Sequence, residues 1–188
     1  MIEVGICKKG EGVRQAVQCR SIVVMGVSGS GKSTISFALA EKIGAEFCDA
    51  DRLHPAENLA KMRIGQALTD EERLPWLHSV GQFMESVESS HRDSVIACST
   101  LKRSYRDILR QYVPSAFFVF LDGSFEMVQA RIDARNHEFM PSSLLASQFE
   151  ILEPLNDDER GMRVDIGLNP DEIVRVITDE LKRLNMSL

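Results

Sequence analysis

The sequence predicts an α/β fold: a doubly wound, five-stranded parallel sheet with helices on both faces. Three observations carry this. Short apolar runs of strand length alternate with longer segments of helical period between residues 21 and 188. The first run leads straight into a glycine-rich loop and then a helix. No repeat, low-complexity tract or linker divides the chain, and 188 residues suit one domain.

The elements follow in order. Met1–Arg20 reads as an extension outside the core, because three glycines and the Lys8-Lys9 pair interrupt any pattern. Residues 21–188 form the domain. Ile22–Met25 is a β-branched run typical of a buried parallel strand. Ser33–Ile43 is a helix with Ile35, Leu39 and Ile43 on one face, stopped by Gly44. Glu46–Cys48 is a second strand, and Pro55–Met62 a helix with proline in its first turn. Asp70–Ser90 is a longer helical region, started or interrupted near Pro75. Ser94–Cys98 and Ala116–Leu121 are strands three and four, separated by a helix over Ser104–Gln111. Helices over Phe125–Arg135 and Pro141–Ile151 precede a final strand, Met162–Ile166. Asn169 is placed to cap a last helix, Pro170–Leu184, whose Ile173, Val176, Ile177, Leu181 and Leu184 share a face.

Composition narrows the function. The net charge of −6 argues against broad coating of nucleic acid or of an anionic membrane. No apolar run approaches the ~20 residues of a membrane helix, and the N-terminus lacks the apolar centre of a secretory signal. The four cysteines (Cys7, Cys19, Cys48 and Cys98) form no CxxC and no zinc-type cluster. They fit the reduced thiols of a cytoplasmic protein.

Gly26-Val27-Ser28-Gly29-Ser30-Gly31-Lys32-Ser33 matches GxxxxGK[ST] at every fixed position, with Thr34 following. Glycines let such a loop turn its N–H groups toward phosphate oxygens. The next helix adds the positive end of its dipole. Lys32 neutralises phosphate charge, and Ser33 offers a hydroxyl to Mg²⁺. ATP is the expected ligand.

The rest of the chain sorts among phosphate-loop proteins. No lysine is followed two residues later by aspartate, so the guanine-reading [NT]KxD is missing. Strand three ends Ala97-Cys98-Ser99, without the acidic residue of many motor and transporter ATPases. Small-molecule kinases remain. Asp49 and Asp51 follow strand two, where a doubly wound sheet gathers its ligands. In an extended segment carboxylates at i and i+2 point the same way. One could face Mg²⁺ and the other an acceptor hydroxyl; the alternative is a solvated turn or a helix cap.

Several further blocks carry a resemblance. Met25–Thr34 and Asp49-Ala50-Asp51-Arg52-Leu53-His54-Pro55, with Asn58 and Lys61-Met62, are the first. Gly65–Leu77 and Ala97–Asp107 follow, then Arg131, Arg135, His137–Met140 and Ser147–Glu153. From about Ser21 onward the chain resembles the gluconate kinases, block by block and in order. Ala67 departs mildly, where that family often has proline. The resemblance implies a fold like that of nucleoside monophosphate kinases and shikimate kinase, with a helical lid over about 131–148. It implies transfer of phosphate from ATP to D-gluconate, giving 6-phosphogluconate. It leaves room for a homodimer, which is common among related kinases.

On that resemblance, Asp51 engages the acceptor hydroxyl and Asp49 with Ser33 holds Mg²⁺. His54 and Arg73 contact the sugar acid, with Lys102 and Arg106 near its carboxylate or the transferring phosphate. Lys102 and Arg106 are four apart, so one helix face could present both; surface charge is the alternative. Arg131 and Arg135 have the same spacing and suit a lid that grips phosphates beside Lys32, or else a solvated face. Trp76 reads as a packing residue. Two other functions stay open: a kinase for another small hydroxy acid such as shikimate, and a nucleotide-binding regulator without turnover.

Overall fold

The chain is described from a computed structural model that covers residues 20–134 and 142–184. Five strands form one sheet: β1 (Ser21–Met25), β2 (Glu46–Asp49), β3 (Ser94–Ala97), β4 (Phe117–Asp122) and β5 (Gly161–Asp165). Their order is β2-β3-β1-β4-β5, and every pairing is parallel. Parallel neighbours need crossovers, which the helices supply. These are α1 (Lys32–Ile43), α2 (Ala56–Arg63), α3 (Asp70–Ser89), α4 (Arg103–Tyr112), α5 (Phe125–Asp133), α6 (Ser142–Ile151) and α7 (Pro170–Arg183).

Alternate residues of the central strands build two cores. Ile22 and Val24 of β1, with Phe117, Val119 and Leu121 of β4, pack under Ile35 and Leu39 of α1 and Ile173, Ile177 and Leu181 of α7. Val23, Met25, Phe118 and Phe120 face the other way, against Trp76, Leu77, Val80 and Met84 of α3 and Leu109 of α4. Burying each such side chain is worth about 1.5–3 kcal/mol, so both faces of β1 and β4 are held. The C-terminal ends of β1, β2 and β3 therefore open on one fixed edge.

Several local readings are met. Gly44 ends α1 in the left-handed region at φ 68°. Asn169 caps α7 through a reciprocal box with Glu172, and Pro170 opens the helix. Pro75 neither starts nor breaks α3. The helix begins at Asp70 behind a Thr69–Glu72 capping box and runs through the proline. That box satisfies donors at the helix start, and Pro75 removes a bond only one turn further in.

Two expectations change. Arg20, read as the end of an extension, is buried and forms an ion pair with Asp93 at the strand N-terminal edge. Asp51 does not lie in an extended segment, because Ala50–Leu53 is a 3-10 turn. Residues 1–19 and 185–188 lie outside the described part of the chain, as do residues 135–141. Among the described residues no helix is long and apolar enough to cross a membrane.

Candidate active site

The phosphate loop bridges β1 and α1. Gly26 has φ +142° and would place a Cβ 2.9 Å from the Leu121 carbonyl oxygen. Gly29 has φ +79° and would drive a Cβ to 2.7 Å from Ile132. Both positions need glycine on conformation and on space. Inside the loop, the Lys32 ammonium donates to the Val27 carbonyl at 3.0 Å, which holds the charge over the curve.

Asp49 caps the turn that follows β2 and also meets the phosphate-loop helix. One carboxylate oxygen accepts the Asp51 amide at 3.2 Å and caps the 3-10 turn. The other accepts the Ser33 hydroxyl at 2.8 Å. A hydroxyl and a carboxylate side by side are hard oxygen donors of the kind Mg²⁺ takes. No cluster of three or more acidic, histidine or cysteine side chains exists among the described residues. That sparse set fits Mg²⁺, which usually keeps waters and phosphate oxygens as its other ligands.

Two cavities flank the loop. The larger, about 570 Å³, is lined by Ser28, Lys32, Asp51, His54, Arg63, Arg73, Ser99 and Gln148, together with Met62, Gln66 and Leu68. Its size suits a small polar ligand. The smaller, about 280 Å³, lies between Ser30, Gly31 and Thr34 on one side and Arg131, Leu168, Pro170 and Ile173 on the other. The Arg131 guanidinium donates to the Ser30 carbonyl at 3.3 Å and to the Ile166 carbonyl, so it spans loop and β5 end.

His54 shows how the larger cavity is built. Its ring lies flat on the Trp76 indole, with centroids 4.2 Å apart and planes 11° from parallel. The Trp76 N–H donates to the Ala50 carbonyl at 2.7 Å, tying α3 to the turn that carries Asp51. The Asn58 amide donates to the Glu72 carbonyl at 2.8 Å and approaches His54 Nδ1 at 3.5 Å. Burial, and then the nearby Arg73 charge, push the His54 pKa down to about 4. The imidazole is neutral near pH 7 and can only exchange hydrogen bonds, so Lys32, Arg63 and Arg73 supply the cavity's positive charge.

The predicted substrate residues thus divide. Asp51, His54 and Arg73 meet in one cavity with Lys32. Lys102 does not line it: its ammonium is paired to Asp70 at 2.6 Å, and the Tyr105 hydroxyl donates to the same carboxylate at 2.5 Å. Arg106 does not reach the cavity. Its side chain is 0% exposed and meets Glu159 through two bonds, of 2.6 and 2.7 Å. It also donates to the carbonyls of Thr100 at 3.3 Å and of Glu153 at 3.0 Å. The shared-face argument fails because Lys102 is the cap of α4, not a helical residue, and Arg106 turns inward. Arg106 instead clamps the loop after β3, where Ser99 lines the cavity and Thr100 holds φ 35°. Arg135 and His137 lie outside the described residues, and of the stretch 131–148, expected to form a lid, only the parts in α5 and α6 are described.

Sequence reasoning passed over Leu168 and Pro170 as a wall of the smaller cavity, Trp76 as a support for His54, and any role for Gln148. Pro170 carried a signal, but one that reads equally as a helix start. Burial pushes the Cys48 thiol up to about 11 and the Cys98 thiol higher, which disfavours the thiolate of both.

A phosphate loop at the centre of a 2-3-1-4-5 parallel sheet, with a cavity on either side, defines a kinase that passes a phosphoryl group from a nucleotide to a small acceptor. A family model described as Shikimate kinase matches residues 28–182. The thermosensitive gluconokinase of Escherichia coli is 46% identical over 147 residues, covering 78% of this chain and 79% of that protein. The crystal structure of a gluconokinase from Sinorhizobium meliloti superposes with a TM-score of 0.82 at 46% identity, covering 89% and 94% of the two chains. Shikimate kinase from Aquifex aeolicus gives 0.56 at 18% identity over 89% and 99%, a likeness of fold alone. The chain belongs to the gluconokinases, within the wider group that the shikimate kinase model describes.

Proposed function

We propose that this protein transfers the terminal phosphoryl group of ATP to D-gluconate, giving 6-phosphogluconate. The observation that carries the reading is the larger cavity. It sets the Asp51 carboxylate, a neutral His54 and the Arg73 cation around one space that opens on Ser28 and Lys32. A polyhydroxy acid needs a cation for its carboxylate and mixed donors and acceptors for its hydroxyls.

Residues 26–34 would cradle the triphosphate, with Lys32 against its charge and Arg131 at the outer edge. The smaller cavity, walled by Leu168 and Pro170, would take the base. Ser33 and Asp49 would hold Mg²⁺, which supplies charge neutralisation at the phosphate oxygens when bound with the nucleotide. Asp51 would accept the hydrogen bond of the attacking hydroxyl and then its proton. Lys102 would have to leave Asp70 to reach the acceptor.

The test is coupled ADP release with D-gluconate, with shikimate and with no acceptor. Release that depends on D-gluconate supports the reading. Preference for shikimate would move the assignment to that acid, and nucleotide binding without acceptor-dependent release would favour a regulator.

A further inference from the structure

Gln148 stands on α6, and its side-chain oxygen accepts the Ser28 amide proton at 2.7 Å across 120 residues of chain. A backbone N–H only donates, so the carboxamide must offer its oxygen to Ser28. The NH₂ group is then the part left to face the cavity, which Gln148 lines with Lys32, Asp51, His54 and Arg73. The mounting is firm. Leu145 is buried in the core, and Phe149 meets Phe125 edge-on at 5.5 Å. Ser28 belongs to the loop that would hold the transferring phosphate, so the carboxamide sits where the reacting end of an acceptor must arrive.

We propose that Gln148 determines acceptor specificity: pinned by Ser28, its NH₂ donates to the hydroxyl next to the one that is phosphorylated. This rests on the D-gluconate reading and deepens it. An ionised Asp51 offers acceptors only, so a neighbouring hydroxyl oxygen needs a donor from elsewhere. A site built to hydrogen-bond a hydroxyl rejects an analogue that lacks it, because its own polar group is left unpaired.

The experiment compares D-gluconate with 5-deoxy-D-gluconate in the wild type, in Gln148→Met and in Gln148→Glu, which keeps an oxygen for Ser28 but removes the donor. In the wild type, the deoxy acid is expected to lose about tenfold to a hundredfold in kcat/KM, the cost of one unpaired donor. In both variants D-gluconate falls toward the deoxy acid and the discrimination disappears. In Gln148→Met the KM for ATP stays within about threefold, since the loop keeps its other amides. Discrimination that survives either folded variant would overturn the proposal, as would a rise in the KM for ATP equal to that for the acceptor. A wild type that turns over shikimate but not D-gluconate would overturn this proposal together with the function it rests on. An active wild type with unchanged variants would overturn the role of Gln148 alone.

Discussion

Arg106 and Glu159 face each other with both side chains closed off from solvent, joined by two bonds of 2.6 and 2.7 Å. Arg110 adds a third, to the same carboxylate, at 2.6 Å. The pair fastens the loop after β3 to the segment that leads into β5. Removing one partner strands a buried charge, which costs about 3–5 kcal/mol. Arg106→Leu should therefore lower the denaturation midpoint strongly and leave the KM for acceptor little changed in the fraction that stays folded. An unchanged midpoint with a raised acceptor KM would return Arg106 to the substrate site.

The same pair sets an acid limit. Burial pushes the Glu159 carboxyl up, but hydrogen bonds from Arg106 and Arg110 outweigh it and hold the pKa at about 2. The folded value lies below the ordinary one of 4.5, so this contribution is complete above pH 4.5. It is lost as pH falls from there through about 2. Glu159→Gln should flatten the denaturation midpoint across that window, as measured by urea titration at stepped pH.

His54 acts in a different window. Its folded pKa of about 4 lies below the ordinary 6.5, so the unfolded chain binds the extra proton first. Its contribution is full above pH 6.5 and declines as pH falls toward 4. His54→Gln should remove the part of the midpoint drop seen between those values. The wild-type profile of kcat/KM should show no limb near pH 6.5 from this group, and a limb there that vanishes in His54→Gln would contradict the neutral assignment.

Much of this was legible in the chain, for reasons that differ by residue. The loop 26–33 is read by motif because phosphate binding demands glycine at fixed places. Asn169 and Pro170 announce α7 because caps are local chemistry. Arg106 was misread because spacing along a helix does not say which face turns inward, and its partner Glu159 is 53 residues away. Asp51 reaches the cavity, but through a 3-10 turn rather than an extended strand. Trp76 supports the site from α3 by a bond to Ala50, 26 residues distant, that no local pattern reveals.

Asp51→Asn keeps the shape of the side chain and removes the carboxylate proposed to take the hydroxyl proton. Turnover should fall roughly 10²–10⁴-fold, the usual worth of a positioned base. Nucleotide affinity, measured by titration without acceptor, should stay near that of the wild type. Near-normal turnover in a folded variant would take the acceptor role away from Asp51.

Arg131 joins the phosphate loop to the Ile166 carbonyl at the mouth of the smaller cavity. Arg131→Ala should raise the KM for ATP about tenfold or more while the KM for D-gluconate moves little, and Arg131→Lys should restore only part, since an ammonium cannot span both carbonyls. Steady-state titration of each substrate separates the two constants. Equal effects on both would place Arg131 between the cavities instead of beside the nucleotide.

The central claim is that the larger cavity takes D-gluconate, and phosphorus NMR on a single reaction tests it most directly. Purified protein would receive ATP, Mg²⁺ and equal amounts of D-gluconate and shikimate in one tube. The expected spectrum gains 6-phosphogluconate in step with ADP and shows no phosphorylated shikimate. A resonance of shikimate phosphate growing in its place, or free phosphate alone, would contradict the account.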